Sequence, residues 1–410
     1  MRKPLNAASH SERQGHMNIF RPWATLLLVS ALFFTVTATT FSSLGLALPA
    51  MVAELHWSWS AAGAGFSLLA VLCGITATIP ALTIRRFGVR ATFLAGGAVM
   101  ALAFLLLART HGLTLYFAGA SLAGFGFTLL ATVPGTYLLT RLFPRPAFAF
   151  GLYFTIGGLG GVAGPPLYAL IAGAGADWRA FWIACAVLNL GVAVAASFFC
   201  DTRTDVSRKG EADPAIATGG WTAKTAMRTY AFAFLAAAYA AFLICDITVN
   251  AASVAHLTQK GVDAELAGWL ISAWALLNAG ARLAGGLLNA WIGARTLLAA
   301  ALALLAVGMA ALALGHGAAL LGLYALAIGV GSGLAFFAST ILLLDYFGRG
   351  PNLELFALVN LISTVGSAAP WAAGLTRDHA GSFTPFFLLV AAAMAVMTVL
   401  AVLLKRPVAP

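Results

Sequence analysis

Charge is what this sequence has least of. Only 9% of its 410 residues are charged, 23 basic and 13 acidic, and a water-soluble domain needs far more to cover its surface. Cysteine is scarce too. Cys73, Cys185, Cys200 and Cys245 fall in or at the ends of apolar runs without metal-like spacing, so they read as small hydrophobes rather than disulfide partners or ligands. The seven histidines (His10, His16, His56, His111, His256, His316 and His379) are scattered. That scatter argues against a membrane-embedded enzyme, which would cluster His, Asp and Glu near an interface. No nucleotide-binding motif or nucleophile–base pair stands out, and neither a metal nor another cofactor is expected. The formal net charge of +10 would suggest nucleic acid in a soluble protein. Here loop placement explains it, and no nucleic-acid partner is expected.

What fills the sequence instead is apolar length. Hydrophobic residues make up 61%, and a membrane span needs roughly 20 of them in a row. Breaking the runs at charges, Pro/Gly clusters and polar turns predicts twelve spans: 23–53, 60–84, 91–109, 113–140, 148–174, 178–199, 229–257, 263–291, 295–315, 317–347, 353–375 and 382–404. The interval 201–228 holds five basic and four acidic residues and reads as a linker. The expected organisation is a cytoplasmic segment 1–22, a six-helix bundle 23–200, a cytoplasmic linker 201–228, a second six-helix bundle 229–404 and a cytoplasmic tail 405–410. The polar, basic start lacks a small-residue cleavage site, so the first span is expected to stay.

Loop charge sets an orientation. One set of loops, with the termini, carries 18 Lys and Arg residues; the opposite set carries Arg109, Arg179, Lys260 and Arg377. The positive-inside rule then places both termini and the linker in the cytoplasm, here of a plasma-membrane protein. An internal repeat supports an even span count. "FGVRATFLA" resembles "IGARTLLAA", and Gly88 lies 205 positions before Gly293, as Pro165 does before Pro370 and Phe181 before Phe386. Parallel repeats of six spans describe an all-α membrane protein of two pseudo-symmetric six-helix bundles, the major facilitator fold, whose substrate site lies between the halves near the midplane.

The residues at these positions carry a family resemblance across nearly the full chain. "RRFGVR" resembles the major facilitator superfamily's signature loop G-x-L-a-D-r-x-G-r-r, with Gly88 at its second glycine and Arg85 at the aspartate position. "GLLNAWIGAR" is a second copy with Gly286, Leu288, Gly293 and Arg295, and Ala290 at the acid position. Arg86, Gly88, Arg90, Gly293 and Arg295 are the expected gating elements, without the acid of the family's charge relay. "RFGVRATFLAGG", "LFPRPAFAFGLYFTIGGLGG", "LLDYFGR" and "WSWSAAGAGFS" are similar to the monocarboxylate and oxalate/formate porter branch.

One charge stands inside a span. A charged side chain at a span centre costs about 2.5–3.5 kcal/mol on insertion scales, so Arg282 in "LLNAGARLAGGLL" needs a partner, a cavity or a route by which to snorkel out. The resemblance implies the cavity: the branch uses an arginine in its eighth span to bind the substrate carboxylate, and a guanidinium offers two parallel hydrogen bonds for that task. The branch's aspartate one turn earlier is here Asn278. Asp246, in "LICDITVN", is the one acid well inside a predicted span. It reads as a counter-charge for Arg282, as the carrier of the coupling proton, or as an acid exposed at the outer vestibule. Asn250 lies one turn further on the same face. Trp274, Tyr153 and Asn360 complete the expected substrate contacts. The hydroxyl stripes "TVTATTFSS" and Thr128, Thr132, Thr136, Thr140 read first as helix-packing glue. "GGLGGVAGPP" reads as a place where helices approach closely.

The branch's lysine in span 1 and a second cation in span 11 are missing, so the expected substrate carries one carboxylate. The sequence therefore predicts a secondary transporter of a small monocarboxylate, a lactate- or pyruvate-like organic anion, coupled to a proton and working by alternating access in a lipid bilayer. Organic-anion exchange is a weaker form of the same reading. The alternative is a porter or exporter of a neutral or amphipathic compound in which Arg282 serves gating.

Overall fold

The computed structural model describes residues 7–143, 146–173, 175, 177–199, 221–348 and 351–408. Residues 201–220 of the expected linker fall outside these, as do Arg2, Lys3, Arg145 and Arg349. Among the described residues the chain is helical almost throughout and has no strand. The first half runs α1 (Ala7–Thr39), α2 (Phe41–Leu55), α3 (Trp59–Ile75), α4 (Ile79–Ala108), α5 (Leu113–Leu130), α6 (Thr132–Leu142), α7 (Pro146–Gly173) and α8 (Trp178–Phe199). A short α9 (Ala223–Met227) leads to α10 (Tyr230–Gln259), α11 (Ala264–Ile292), α12 (Ala294–Leu314), α13 (Ala318–Phe347) and α14 (Asn352–Ser363). A 3-10 turn (Thr364–Ala368), α15 (Ala369–Ala380) and α16 (Thr384–Leu403) close the chain. Among the described residues eleven helical stretches are long and apolar enough to cross a bilayer, and α3 is a shorter apolar helix. The chain is thus an integral membrane protein of the twelve-helix kind.

Four predicted spans that read as continuous are broken. α1 gives way to α2 at Thr40 (φ −101°, ψ −86°), and α5 to α6 at Ala131 (φ −88°, ψ −118°). The second span breaks at 76–78, where α3 ends and α4 begins, and the eleventh breaks at the 3-10 turn. In lipid every freed backbone group must be satisfied from within the protein, and the hydroxyls do this. Thr39 Oγ1 donates to Thr35 O (2.9 Å), Ser43 Oγ to Ala38 O (2.6 Å) and Thr364 Oγ1 to Asn360 O (3.1 Å). Tyr153 OH donates to Ala131 O (2.8 Å). The threonine-rich stretch of the first span therefore serves its helix break.

The repeat is visible in the backbone. Gly88 (φ 84°, ψ 167°) and Gly293 (φ 76°, ψ 151°) adopt the same conformation, one that glycine reaches without strain. Each turns the chain at the same end of the bundle, after the second and eighth spans. Two apolar cores result. One is built around Phe66, Phe93, Phe104 and Trp182, the other around Phe232, Phe242, Phe347 and Phe387.

The ends of the bundle are told apart by their contacts. At the linker end Arg295 Nη1 donates to Leu404 O (2.9 Å), and Trp221 packs on Phe347. At the far end Glu54 pairs with Arg179 (2.7 Å) and accepts from Trp178 Nε1 (2.7 Å). Among the described residues, every hydrogen bond joining the halves lies at mid-depth or nearer the far end. Asp378 accepts from Trp59 N (2.9 Å) and Ser60 N (2.8 Å), capping α3 from the opposite half. Ser67 Oγ accepts from Trp371 N (3.2 Å), Ser272 Oγ donates to Val162 O (2.9 Å), and Ser42 Oγ donates to Asn250 Oδ1 (3.2 Å). Among the described residues the halves are thus hydrogen-bonded from mid-depth to the far end and not at the linker end; the space between them on that side is here called the cleft.

That seam depends on glycine, because main chain meets main chain. A Cβ at Gly374 would sit 2.2 Å from Trp59 O, with no flexible side chain to yield. Gly374→Ala is expected to widen the far end. Paired distance probes at the exposed positions 111 and 316 should report a longer separation than in the wild type; an unchanged distribution would show that the seam does not hold the halves at this point.

Candidate functional site

The site forms where three helices of the second half converge. α11 runs unbroken from its cap, Asp263, whose carboxylate accepts from Glu265 N (2.9 Å) and Leu266 N (3.2 Å). α13 crosses it at Gly333, where a Cβ would lie 2.3 Å from Asn278 O. This close approach lays Phe336, one turn further along α13, over the guanidinium of Arg282, with Cζ 4.3 Å from the ring centroid. Arg282 Nε donates to Asn278 Oδ1 (2.9 Å). Among the described residues the guanidinium makes no other hydrogen bond within the protein, and no carboxylate oxygen lies within 4.0 Å of it. Cation–π contact stabilises the charge without neutralising it, so the outer face of the fork is available to an anion.

The third helix brings the acid. Asp246 on α10 interacts electrostatically with Arg282 across a gap. It lies beside Ser332, whose buried hydroxyl is within reach of its carboxylate. Ser339 Oγ and Trp274 Nε1 are buried and unpartnered. Native interiors rarely leave such groups unpaired, and these two, on helices that flank the charges, offer hydrogen-bonding capacity to water or a polar ligand. Tyr239, two turns before Asp246, closes the site with its ring 6.2 Å from both Phe336 and Phe356.

Depth follows from the seam. Asn250 touches the first half through Ser42, and Asp246 lies one turn below it toward the linker end. Ala275 touches Gly161 of α7, and Arg282 lies two turns below on the same face. Both charges therefore stand at the roof of the cleft.

The structure sorts the expected residues. Arg282 is half-buried, held between Asn278 of its own helix and Phe336 of α13. Asp246 is half-buried on α10, with its Oδ1 atom fully buried. Asn278 is buried and orients the arginine. Trp274 is buried beside it with a free N–H. Asn250 is a clasp between halves, donating from Nδ2 to Asp246 O (2.9 Å) while accepting from Ser42. Tyr153 is a correction: it is fully buried in the first core, and its hydroxyl is committed to Ala131 O, so it lines no cleft. Asn360 is exposed on α14, but its amide donates to Phe356 O of its own helix (2.8 Å). In the signature loops, Arg86 and Arg90 are exposed and rest on Phe87 (5.2 Å) and Phe198 (5.1 Å), with no carboxylate of the described residues within 4.0 Å. Phe336, Tyr239 and Ser332 had no distinguishing signal in the sequence beyond the Gly329/Gly333 spacing that seats α13 on α11.

The family model described as Major Facilitator Superfamily matches residues 28–370. Among solved structures, the fold is similar to a mutant of the nucleoside transporter NupG, with TM-score 0.75 and 12% identity over 92% of this chain and 99% of that one. It is also similar to a bacterial homolog of the human lysosomal transporter Spinster in an inward-facing, unoccupied conformation, with TM-score 0.72 and 13% identity over 93% and 95% of the respective chains. At these identities the likeness establishes the fold alone. No curated protein sequence matches the chain.

Removing an unpartnered buried hydroxyl loses no protein hydrogen bond and relieves a desolvation penalty of about 1–3 kcal/mol. Ser339→Ala is therefore expected to leave the melting temperature of the purified protein unchanged or slightly raised. A fall of several degrees would mean that this hydroxyl is bound within the protein.

Proposed function

The chain belongs to the Major Facilitator Superfamily, a family of transporters rather than enzymes, and from that premise we propose that it carries a small monocarboxylate together with a proton. The observation that supports this reading is the guanidinium of Arg282, fixed by Asn278 and Phe336 yet lacking an anionic partner within 4.0 Å among the described residues. A planar fork in a poorly hydrated cleft suits a carboxylate through two parallel hydrogen bonds. One fork matches one carboxylate.

Asp246 supplies the coupling in this reading. Without substrate, its negative charge and that of Arg282 balance across the gap. Once the substrate carboxylate pairs with Arg282, Asp246 is left as a buried acid without a counter-charge. That arrangement is costly, so the loaded site moves with a proton on Asp246. In this reading the protein sits in the plasma membrane with its linker end in the cytoplasm, as the bias of Lys and Arg toward that end suggests; the cleft then faces inward and the Asp378 clasp serves as the outer gate. The turns at Gly88 and Gly293, with Arg86, Arg90 and Arg295 around them, are the elements that rearrange when the inner end closes.

In proteoliposomes, Arg282→Ala is expected to lower kcat/KM for a lactate- or pyruvate-like acid by roughly 10- to 100-fold, the loss of charge-assisted hydrogen bonds worth about 1.5–3 kcal/mol. Arg282→Lys should fall between. Uptake equal to wild type in Arg282→Ala would shift the reading to a neutral or amphipathic substrate, with the arginine used for gating. For coupling, Asp246→Asn is expected to abolish acceleration by an imposed proton gradient while exchange of labelled acid at equal concentrations persists. A wild-type response to the gradient would remove Asp246 from coupling.

A further inference from the structure

The face of α7 opposite the charged site is aromatic. α7 and α11 run antiparallel and touch where Gly161 meets Ala275, and just above, where Ser272 Oγ donates to Val162 O. Seven residues from that contact toward the linker end, α7 presents Phe154 and α11 presents Arg282. Seven residues are two turns, about 10 Å of helix, and return to the same face. The ring and the guanidinium therefore stand on facing surfaces, at equal depth, below the contact from which the halves part.

Phe154 is 39% exposed, whereas Tyr153 beside it is fully buried. It is the rim of a larger wall. Phe33 lies 6.2 Å from Phe154 and 6.3 Å from Phe127, and Phe127 lies 5.3 Å from Phe41. Phe33, Phe41 and Phe127 are each half-buried. The rings come from three separate helical segments of the first half and are held by close packing: a Cβ at Gly157 would strike the Phe33 ring at 2.1 Å. Neighbouring Thr35, Thr39 and Thr128 turn their hydroxyls to their own helices. One side of the cleft thus offers a cation, and the other offers ring edges and faces.

We infer that the site selects aromatic monocarboxylates, with the carboxylate on Arg282 and the ring of the substrate against Phe154 and Phe33. The inference rests on the carboxylate reading above and adds what occupies the other wall. A small aliphatic acid on Arg282 leaves that wall facing water. An aryl group attached to the carboxylate covers it and gains edge and offset contacts that aliphatic carbon does not make. Because the two contacts come from opposite halves, such a substrate also bridges them, as closure of the cleft requires.

The test compares benzoate and phenylacetate with acetate and pyruvate as competitors and as labelled substrates of the full chain in proteoliposomes. In the wild type the aromatic acids are expected to bind about tenfold or more tightly, the affinity equivalent of one good aromatic contact. Phe154→Ala and the gentler Phe154→Leu should bring the aromatic-to-aliphatic ratio toward one, and Arg282→Gln should weaken all four acids. Equal affinities for the four acids in wild type, with each weakened by Arg282→Gln, would overturn the inference and leave the carboxylate reading standing. An aromatic preference that survives both Phe154 variants would also overturn it. Should benzamide, the neutral analogue, compete as well as benzoate and Arg282→Gln change neither, the carboxylate reading itself falls, and this inference with it.

Discussion

A permanent charge in a dry interior has to be held, and here the holding creates the site. Arg282 rests on the face of Phe336, a contact that depends on α13 crossing α11 at Gly333, and on the side chain of Asn278 one turn earlier on its own helix. Neither contact cancels the charge. The nearest acid, Asp246, is close enough to be felt and too far to form an ion pair. The buried unpartnered hydroxyl of Ser339 and the indole N–H of Trp274 leave polar capacity that the protein does not use itself. Packing that merely buried an arginine would have closed this ring of partners.

Position along the chain translates directly into depth in the cleft. The seam between halves is made at Ser42–Asn250 on one pair of helices and at Gly161–Ala275 on another. Counting whole turns from these contacts places Asp246, Arg282 and Phe154 below the roof on inward faces. Membrane position, charge pairing and access to solvent are then consequences of the same crossing geometry.

Much of this was legible in the sequence because lipid imposes simple rules. Span number, the half-chain repeat and the exceptional status of Arg282 follow from apolar length and from the scarcity of charge. The paired turns at Gly88 and Gly293 were visible as a recurring motif. Other features were not legible, for definite reasons. Choosing between Tyr153 and Phe154 requires the rotation of α7, and one residue, 100° of helix, separates a core tyrosine from a cleft-facing phenylalanine. Phe336 and Ser332 lie in a helix apolar on every side, so periodicity gives them no mark. The breaks at Thr40 and Ala131 look like continuous spans because hydroxyls local to the fold replace the missing backbone bonds. The Asp378 clasp joins residues more than 300 positions apart, and nothing local announces it.

The composition of that clasp bears on how readily the molecule can change shape. The far-end seam sets main chain against main chain at Gly374 and seats a carboxylate on two amides of the opposing half, with Trp59 packed on Phe383 beside them. A hydrogen bond exchanged for water is a net loss of about 0.5–1.5 kcal/mol, or about 1.5–3 kcal/mol where one partner is charged. A joint sealed by broad greasy surfaces would instead resist parting in proportion to the oil it exposed. The molecule closes itself with something closer to a zip than a weld, and water is the hand that opens it.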